Sequence, residues 1–424
     1  MMKGYSLLFI FLVLACDTPS SIKPPDKNYF VKYFGGDGNQ QAVGLIVNAD
    51  GTFFILGNSR KSVGVEQQVY LAKADAQGNL IWQTTYGKED IEMFAKDFVL
   101  TNGTLVVAAN KLTTPSNMDV QLIRFTLNGD TVQSAVLQID PQLSPTPKNE
   151  WATSLTVLND GGFLISGYTD YIGATTHQQD AMHLRTDNNF NQRLSVSGWA
   201  PTSGQGNINL ATKAFQTPKD TIYIFGSTDG PSLKSIDLDF WAFKLDSKGV
   251  QRGVSNYVVN DSEETMTNVV KSTLGGYLLT GVSVNKSSQM SLKITKTRFD
   301  DLSFDPNAIP SDIQFNYPGG RSLGKGLIHY ATACNSGSSY FVLANTYDNT
   351  AGTSDMILYK LDVTLQEAWG NPVTLGGDGE DTAAAVAELP DGHIMVLGTI
   401  ELGNPAEQFK IALIKLNSEG KLSD

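Results

Sequence analysis

A short apolar run that ends on a small residue recurs along this chain, and it limits what the chain can fold into. The copies read FFILGN (53–58), LVVAAN (105–110), FLISGY (163–168), IYIFGS (222–227), YLLTGV (277–282), FVLAN (341–345) and IMVLGT (394–399). The aligned small residues are Gly57, Ala109, Gly167, Gly226, Gly281, Ala344 and Gly398. A small side chain at one place in every copy predicts a close approach of neighbouring backbone there.

A second marker follows each of these runs. It is an eight-residue segment with a cation at its sixth place: QVYLAKAD (68–75), DVQLIRFT (119–126), DAMHLRTD (180–187), DFWAFKLD (239–246), KITKTRFD (293–300), DMILYKLD (355–362) and KIALIKLN (410–417). The cations are Lys73, Arg124, Arg185, Lys244, Arg298, Lys360 and Lys415. Copies of both markers at a spacing of roughly 50 to 60 residues define a structural repeat.

Turn residues divide each repeat into strands. Asp50-Gly51, Asn102-Gly103, Asp160-Gly161-Gly162, Gly275-Gly276 and Asp391-Gly392 separate first from second strands. Gln77-Gly78, Asn128-Gly129, Lys248-Gly249 and Glu419-Gly420 separate third from fourth. Glycine suits hairpin turns because it takes a positive φ at little cost. The fourth repeat has Pro218-Lys219-Asp220 in place of the first turn glycine.

Four antiparallel strands repeated seven times predict an all-β, seven-bladed β-propeller, whose radial stacking buries both faces of each blade. The strands are accordingly apolar on both faces. A solenoid of shorter repeats or a helical array would show other periods. The last repeat ends without a fourth strand, whereas Asn28–Gly36 (NYFVKYFGG) matches a fourth strand with no repeat before it. Residues 29–34 are therefore expected to complete the seventh blade beside residues 409–417, removing two open edges. A monomer is expected.

The N-terminus reads as a targeting segment. Lys3 precedes an apolar stretch, Leu7–Ala15, too short to cross a bilayer. The sequence Leu12-Val13-Leu14-Ala15-Cys16 resembles the lipobox of bacterial lipoproteins, which implies cleavage before Cys16 and lipidation of its thiol. The expected organisation is a signal peptide (1–15), a proline-rich tether (16–27) and the propeller (28–424). Cys334 would then be the one cysteine of the body, a small core residue that cannot form an internal disulfide. The formal charge of −12 argues against nucleic acid as a partner and against broad docking to anionic lipid. The membrane would be reached through the acyl anchor.

Taken together, the repeats resemble the seven-bladed propeller repeats of secreted proteins and lipoproteins in Bacteroidetes-like bacteria. The resemblance covers nearly all of residues 29–421, is closest at DFWAFKLD (239–246) and weakest over Leu323–Ser339. It implies fold and an outer-membrane location, periplasmic or surface-facing, and does not imply a reaction.

Candidate chemistry is sparse. The seven cations form either a channel-lining anion site or, as a feature of every blade, part of the scaffold; Asp75, Asp187, Asp246 and Asp362 are near enough for local pairing. Acidic loops contain Asp37, Glu89-Asp90, Glu263-Glu264 and Asp378–Asp381, but no calcium-loop pattern, so no metal is expected. The histidines His177, His183, His329 and His393 are not spaced as metal ligands, no nucleophile or phosphate motif is present, and no cofactor is expected. Tyr168, Asp170, Tyr171, Tyr347 and Asp348 fall at loops after second strands, where exposed aromatics beside acids suit contacts to sugar or protein. The long connections (58–67, 111–118, 168–179, 227–238, 345–354 and those between blades) gather on one face, the usual layout of a binding surface. The expected function is a lipid-anchored, non-enzymatic binding or scaffold module for protein or glycan. The alternative is a propeller glycan hydrolase or lyase with acids converging at the channel mouth. A quinone-dependent dehydrogenase is weaker, since its haem motif is absent.

Overall fold

The computed structural model describes residues 29–139, 149–170, 179–197, 208–229, 238–246, 251–257, 262–285, 290–297, 302, 331–348, 353–403 and 408–423. Each repeat forms one antiparallel sheet in strand order one to four. Blade 1, for example, is built from Asn39–Val47, Phe53–Arg60, Gln68–Ala74 and Leu80–Tyr86. Among the described residues, blade 5 shows three strands and the other six blades show four. The chain is a seven-bladed β-propeller.

Blade 7 closes as the sequence predicts. Its strands Thr382–Glu388, Ile394–Leu402 and Gln408–Leu416 are joined by Phe30–Phe34. The ladder runs antiparallel from Phe30 opposite Lys415 to Phe34 opposite Ile411.

The two-sided apolarity of the strands has a direct packing reason. Alternate residues of one strand enter different cores. Phe53 and Ile55 pack with Met395 and Leu397 of blade 7, whereas Phe54 and Leu56 pack with Leu105 and Val107 of blade 2. The same alternation builds a hydrophobic core at every junction, from blades 2 and 3 round to blades 6 and 7. Each fully buried Leu, Ile or Phe contributes about 1.5–3 kcal/mol. Sheet-to-sheet packing of this kind is the main cohesion of the ring.

The small residue in each second strand also acquires a cause. In blades 1, 2, 3, 4, 5 and 7 the first strand carries a β-bulge directly opposite it, for instance between Ala42 and Gly44. The extra residue turns a carbonyl onto the second strand. A Cβ on Gly57 would lie 2.6 Å from Gln41 O, and Gly167 and Gly226 would meet the carbonyls of Trp151 and Leu210 in the same way.

Just past the small residue, a polar side chain staples one blade to the next. The Oδ1 atoms of Asn58, Asn110 and Asn345 accept the backbone N–H groups of Ala95, Ala152 and Ala383 at 2.6–2.7 Å. Ser227 Oγ accepts Met266 N–H at 2.7 Å, and Thr399 Oγ1 accepts Ala42 N–H at 3.0 Å across the closure. The bulge makes these N–H groups unavailable to their own ladder, so the neighbouring blade satisfies them.

Candidate functional site

The bulged first strands surround a central channel with a volume of about 610 Å³. All seven blades contribute to its wall, and the bulge decides which residues they contribute. By shifting the strand by one position, it brings Val43, Lys96, Thr153, Thr212, Thr267 and Ala384, with the residue after each, to the channel.

Three threonines form a belt on this wall. Thr153 Oγ1 donates to Ala211 O at 2.7 Å, Thr212 Oγ1 to Met266 O at 3.2 Å, and Thr267 Oγ1 to Ala331 O at 2.7 Å. Each hydroxyl therefore links its own blade to the following one. Asn268 continues the pattern by donating to Thr332 Oγ1 at 2.5 Å.

The channel's described lining has three ionisable side chains: Lys96, Asp97 and Lys213. Asp97 accepts the backbone N–H groups of Phe98 and Leu155, both at 2.9 Å. Burial raises its carboxyl above the usual range, and the Lys213 charge and the two N–H groups oppose that shift. Burial lowers the Lys96 ammonium below the usual lysine range. Protein surrounds both groups, while the channel void still leaves them accessible to water.

A second set of ionisable groups lies between blades. The residue five places before the repeated cation, on the third strand, meets the start of the next blade's first strand. Asp119 faces Glu150 between blades 2 and 3, with both buried. Burial first, then the Asp119 carboxylate, push the Glu150 carboxyl up to about 9. Asp119 meanwhile accepts from Thr113 Oγ1, from Asn117 Nδ2 at 2.8 Å and from Gln138 Nε2 at 2.9 Å. Between blades 4 and 5, burial raises the Glu264 carboxyl to about 8; Lys293 opposes the shift and Asp239 adds to it. Between blades 6 and 7, burial raises Asp381, with Asp355 and Glu401 adding to it. The equivalent position between blades 7 and 1 pairs Lys410 Nζ with Gln40 Oε1 at 2.9 Å.

The repeated cations lie away from the channel. None of Lys73, Arg124, Arg185, Lys244, Lys360 and Lys415 is among its described lining residues. Lys73 lies 5.3 Å from the Phe54 ring centroid, Lys244 5.9 Å from Tyr223 and Lys360 5.2 Å from Phe341, each directly opposite on the second strand. Arg124 covers Phe190 at 4.6 Å. Arg185 pairs with Asp160 at 2.7 Å and Lys415 with Asp391 at 3.4 Å. The aspartates two residues further on do other work. Asp75, Asp187 and Asp362 accept N–H groups of their own turns instead, such as Gln77 and Asn79 on Asp75 at 2.9 and 2.8 Å. Arg298 lies outside the described residues.

The expected loop residues also need correction. Tyr168 and Asp170 belong to the strand Phe163–Asp170, and Tyr347 and Asp348 to Ser339–Asp348, because pairing continues to Asp170 opposite Gln179 and Asp348 opposite Thr353. Tyr168 stacks on Trp151 with centroids 6.2 Å apart, and Asp170 accepts Asn149 Nδ2 at 2.6 Å. The expected loop at 111–118 is likewise mostly ladder, closing at Thr114 opposite Asn117. Tyr171 and Cys16 lie outside the described residues. Glu264 and Asp381, read as members of solvated acidic loops, are instead buried at blade junctions.

No protein-family model matches this chain, and no curated protein does. Solved structures similar to it include a protein of unknown function from Dyadobacter fermentans, at 12% identity over 91% of this chain and 97% of the other, with a TM-score of 0.47. The Dos1 propeller is similar at 12% identity, covering 93% and 97%, with a TM-score of 0.49. The α-L-arabinanase of Penicillium chrysogenum is similar at 12% identity, covering 76% and 92%, with a TM-score of 0.48. The seven-bladed assignment rests on the strand pairing of this chain.

Proposed function

We propose that this protein is a non-enzymatic binding module of the bacterial envelope, anchored by a lipid on Cys16. Its ligand surface is the face that carries the second-to-third-strand and blade-to-blade connections, and its partner is a protein or a glycan. One observation carries this reading. Each junction has its own hydrophobic core, and five junctions add a side-chain staple to a backbone N–H. Such a ring is a stiff platform, and variable connections on a stiff platform are how binding surfaces are commonly built. Trp151 and Tyr168, stacked near the start of one such connection, supply an aromatic surface suited to a sugar ring.

The competing reading is a glycan hydrolase or lyase. Hydrolysis by paired acids needs two carboxyl groups flanking the scissile bond. The described channel lining has one, Asp97.

The test uses the full chain in mild detergent on an array of envelope glycans, with Tyr168→Ala beside it. Saturable binding that Tyr168→Ala weakens supports the proposal. A shortened glycan in the reaction mixture would overturn the non-enzymatic reading. Replacing Cys16 by Ser should move the protein from the membrane to the soluble fraction; retention in the membrane would overturn the anchor.

A further inference from the structure

Lys96 and Lys213 belong to different blades, yet both line the same void. Neither forms an ion pair within 4.0 Å among the described residues. Lys96 has only a distant aromatic neighbour, Phe94, at 5.9 Å. The Lys96 ammonium opens onto the water of the void, and a cation so placed with no ion pair is available to an anionic ligand. Asp97 is the one described carboxylate on the wall; it accepts two backbone N–H groups and feels the charge of Lys213, which leaves Lys96 as the cation it does not offset. The channel thus has one net positive charge in a chain whose formal charge is −12.

The rest of the wall is polar without being charged. The belt of Thr153, Thr212 and Thr267 adds hydroxyl oxygens to the lysines. A volume of about 610 Å³ falls within the span of small-molecule sites. Lysine supplies a point charge and does not demand the planar geometry that arginine selects.

We propose that the channel binds a small carboxylate-bearing, hydroxyl-rich ligand of the size of a sugar acid. The carboxylate engages Lys96 and Lys213 at the level of the bulges, and the ligand's hydroxyls meet the threonine belt. One net positive charge matches a monocarboxylate. Asp97 sets the limit on negative charge, because a second anionic group would face it. This site is separate from the connection-bearing face, and the two can fail independently.

Isothermal titration of the full chain at low ionic strength tests the proposal. Glucuronate is the probe, with glucuronamide as its uncharged analogue and inorganic phosphate as a different anion. Glucuronate should bind once per chain and glucuronamide at least about tenfold more weakly. Lys96→Gln and Lys213→Gln should each weaken glucuronate about tenfold or more, Asp97→Asn should strengthen it several-fold, and Lys421→Gln, on the exposed turn at Glu419-Gly420, should change nothing. Equal binding of glucuronate and glucuronamide, or no binding of either, would overturn the site; this comparison needs no variant and so survives any folding defect. Phosphate binding as tightly as glucuronate would overturn the carboxylate class. Glycan-array binding that persists in Lys96→Gln would show that a failure here is not a failure of the outer face.

Discussion

The indole of Trp82 in blade 1 covers Gly129 of blade 2 so closely that a Cβ on Gly129 would sit 2.9 Å from its Cε3 atom. The indole N–H also donates to Leu127 O at 3.1 Å. Phe30 over Gly78 and Trp369 over Gly420 repeat the arrangement at other junctions. Between blades 2 and 3 the volumes are exchanged. Gln133 occupies the place of Trp82, opposite Arg124, and the turn position holds Phe190, buried at a φ of 62°.

This exchange predicts a coupled pair. Gly129→Phe alone should destabilise by several kcal/mol, since it meets both the indole and a backbone φ of 89°. Adding Trp82→Gln should recover at least about 1 kcal/mol in a double-mutant cycle measured by urea unfolding. Strict additivity would mean that the two positions do not share one space.

The staple residues predict a uniform cost. Asn58→Ala leaves the buried Ala95 N–H without its acceptor, and Asn110→Ala does the same to Ala152. Each should lower stability by about 1–3 kcal/mol. A loss below measurement error in both would show that water replaces the side chain.

Removal of residues 29–34 should expose the edge of Gln408–Leu416, which pairs with Phe30–Phe34 in the closed ring. An unpaired apolar edge recruits other strands. Size-exclusion chromatography should show association and a lowered melting temperature. A monomer of unchanged stability would remove the closing strand from the account of the fold.

Stability should fall as the solution becomes alkaline. Glu150 and Glu264 keep their protons in the folded state up to about 9 and about 8, whereas in the unfolded chain they release them near the ordinary glutamate value of 4.5. Their contribution is therefore complete below that value, is lost steadily as pH climbs from it, and is gone above the folded-state values. The slope is at most about 1.4 kcal/mol per pH unit for each group. Asp187 acts in the opposite sense: held down to about 2 by its turn, it loses its contribution as pH drops below the usual aspartate range. Glu150→Gln should flatten the alkaline limb of the melting-temperature profile. An unchanged limb would remove the protonated Glu150 from the blade junction.

The blades were legible because packing and pattern coincide. Phe53 and Phe54 must face different neighbours, so both are apolar, and Gly57 must admit the carbonyl of Gln41. The channel was not legible, because the bulge between Ala95 and Asp97 shifts the period-two reading by one residue. Lysines at 96 and 213, in the middle of first strands, were the available signal. Asp119 and Glu150 belong to different repeats, and only the closed ring makes them neighbours. The cation pattern was plain, but its aromatic partners lie one strand back, as Phe54 does for Lys73.

The strand Phe30–Phe34 has a mechanical consequence. It is both the closing element of the ring and the first strand among the described residues. Tension applied on its N-terminal side reaches the latch before any blade. The load falls on the short ladder from Phe30 opposite Lys415 to Phe34 opposite Ile411, while the junction cores further round carry none of it until that ladder parts. Under pull, the circle is expected to open at its seam and leave the remaining blades folded.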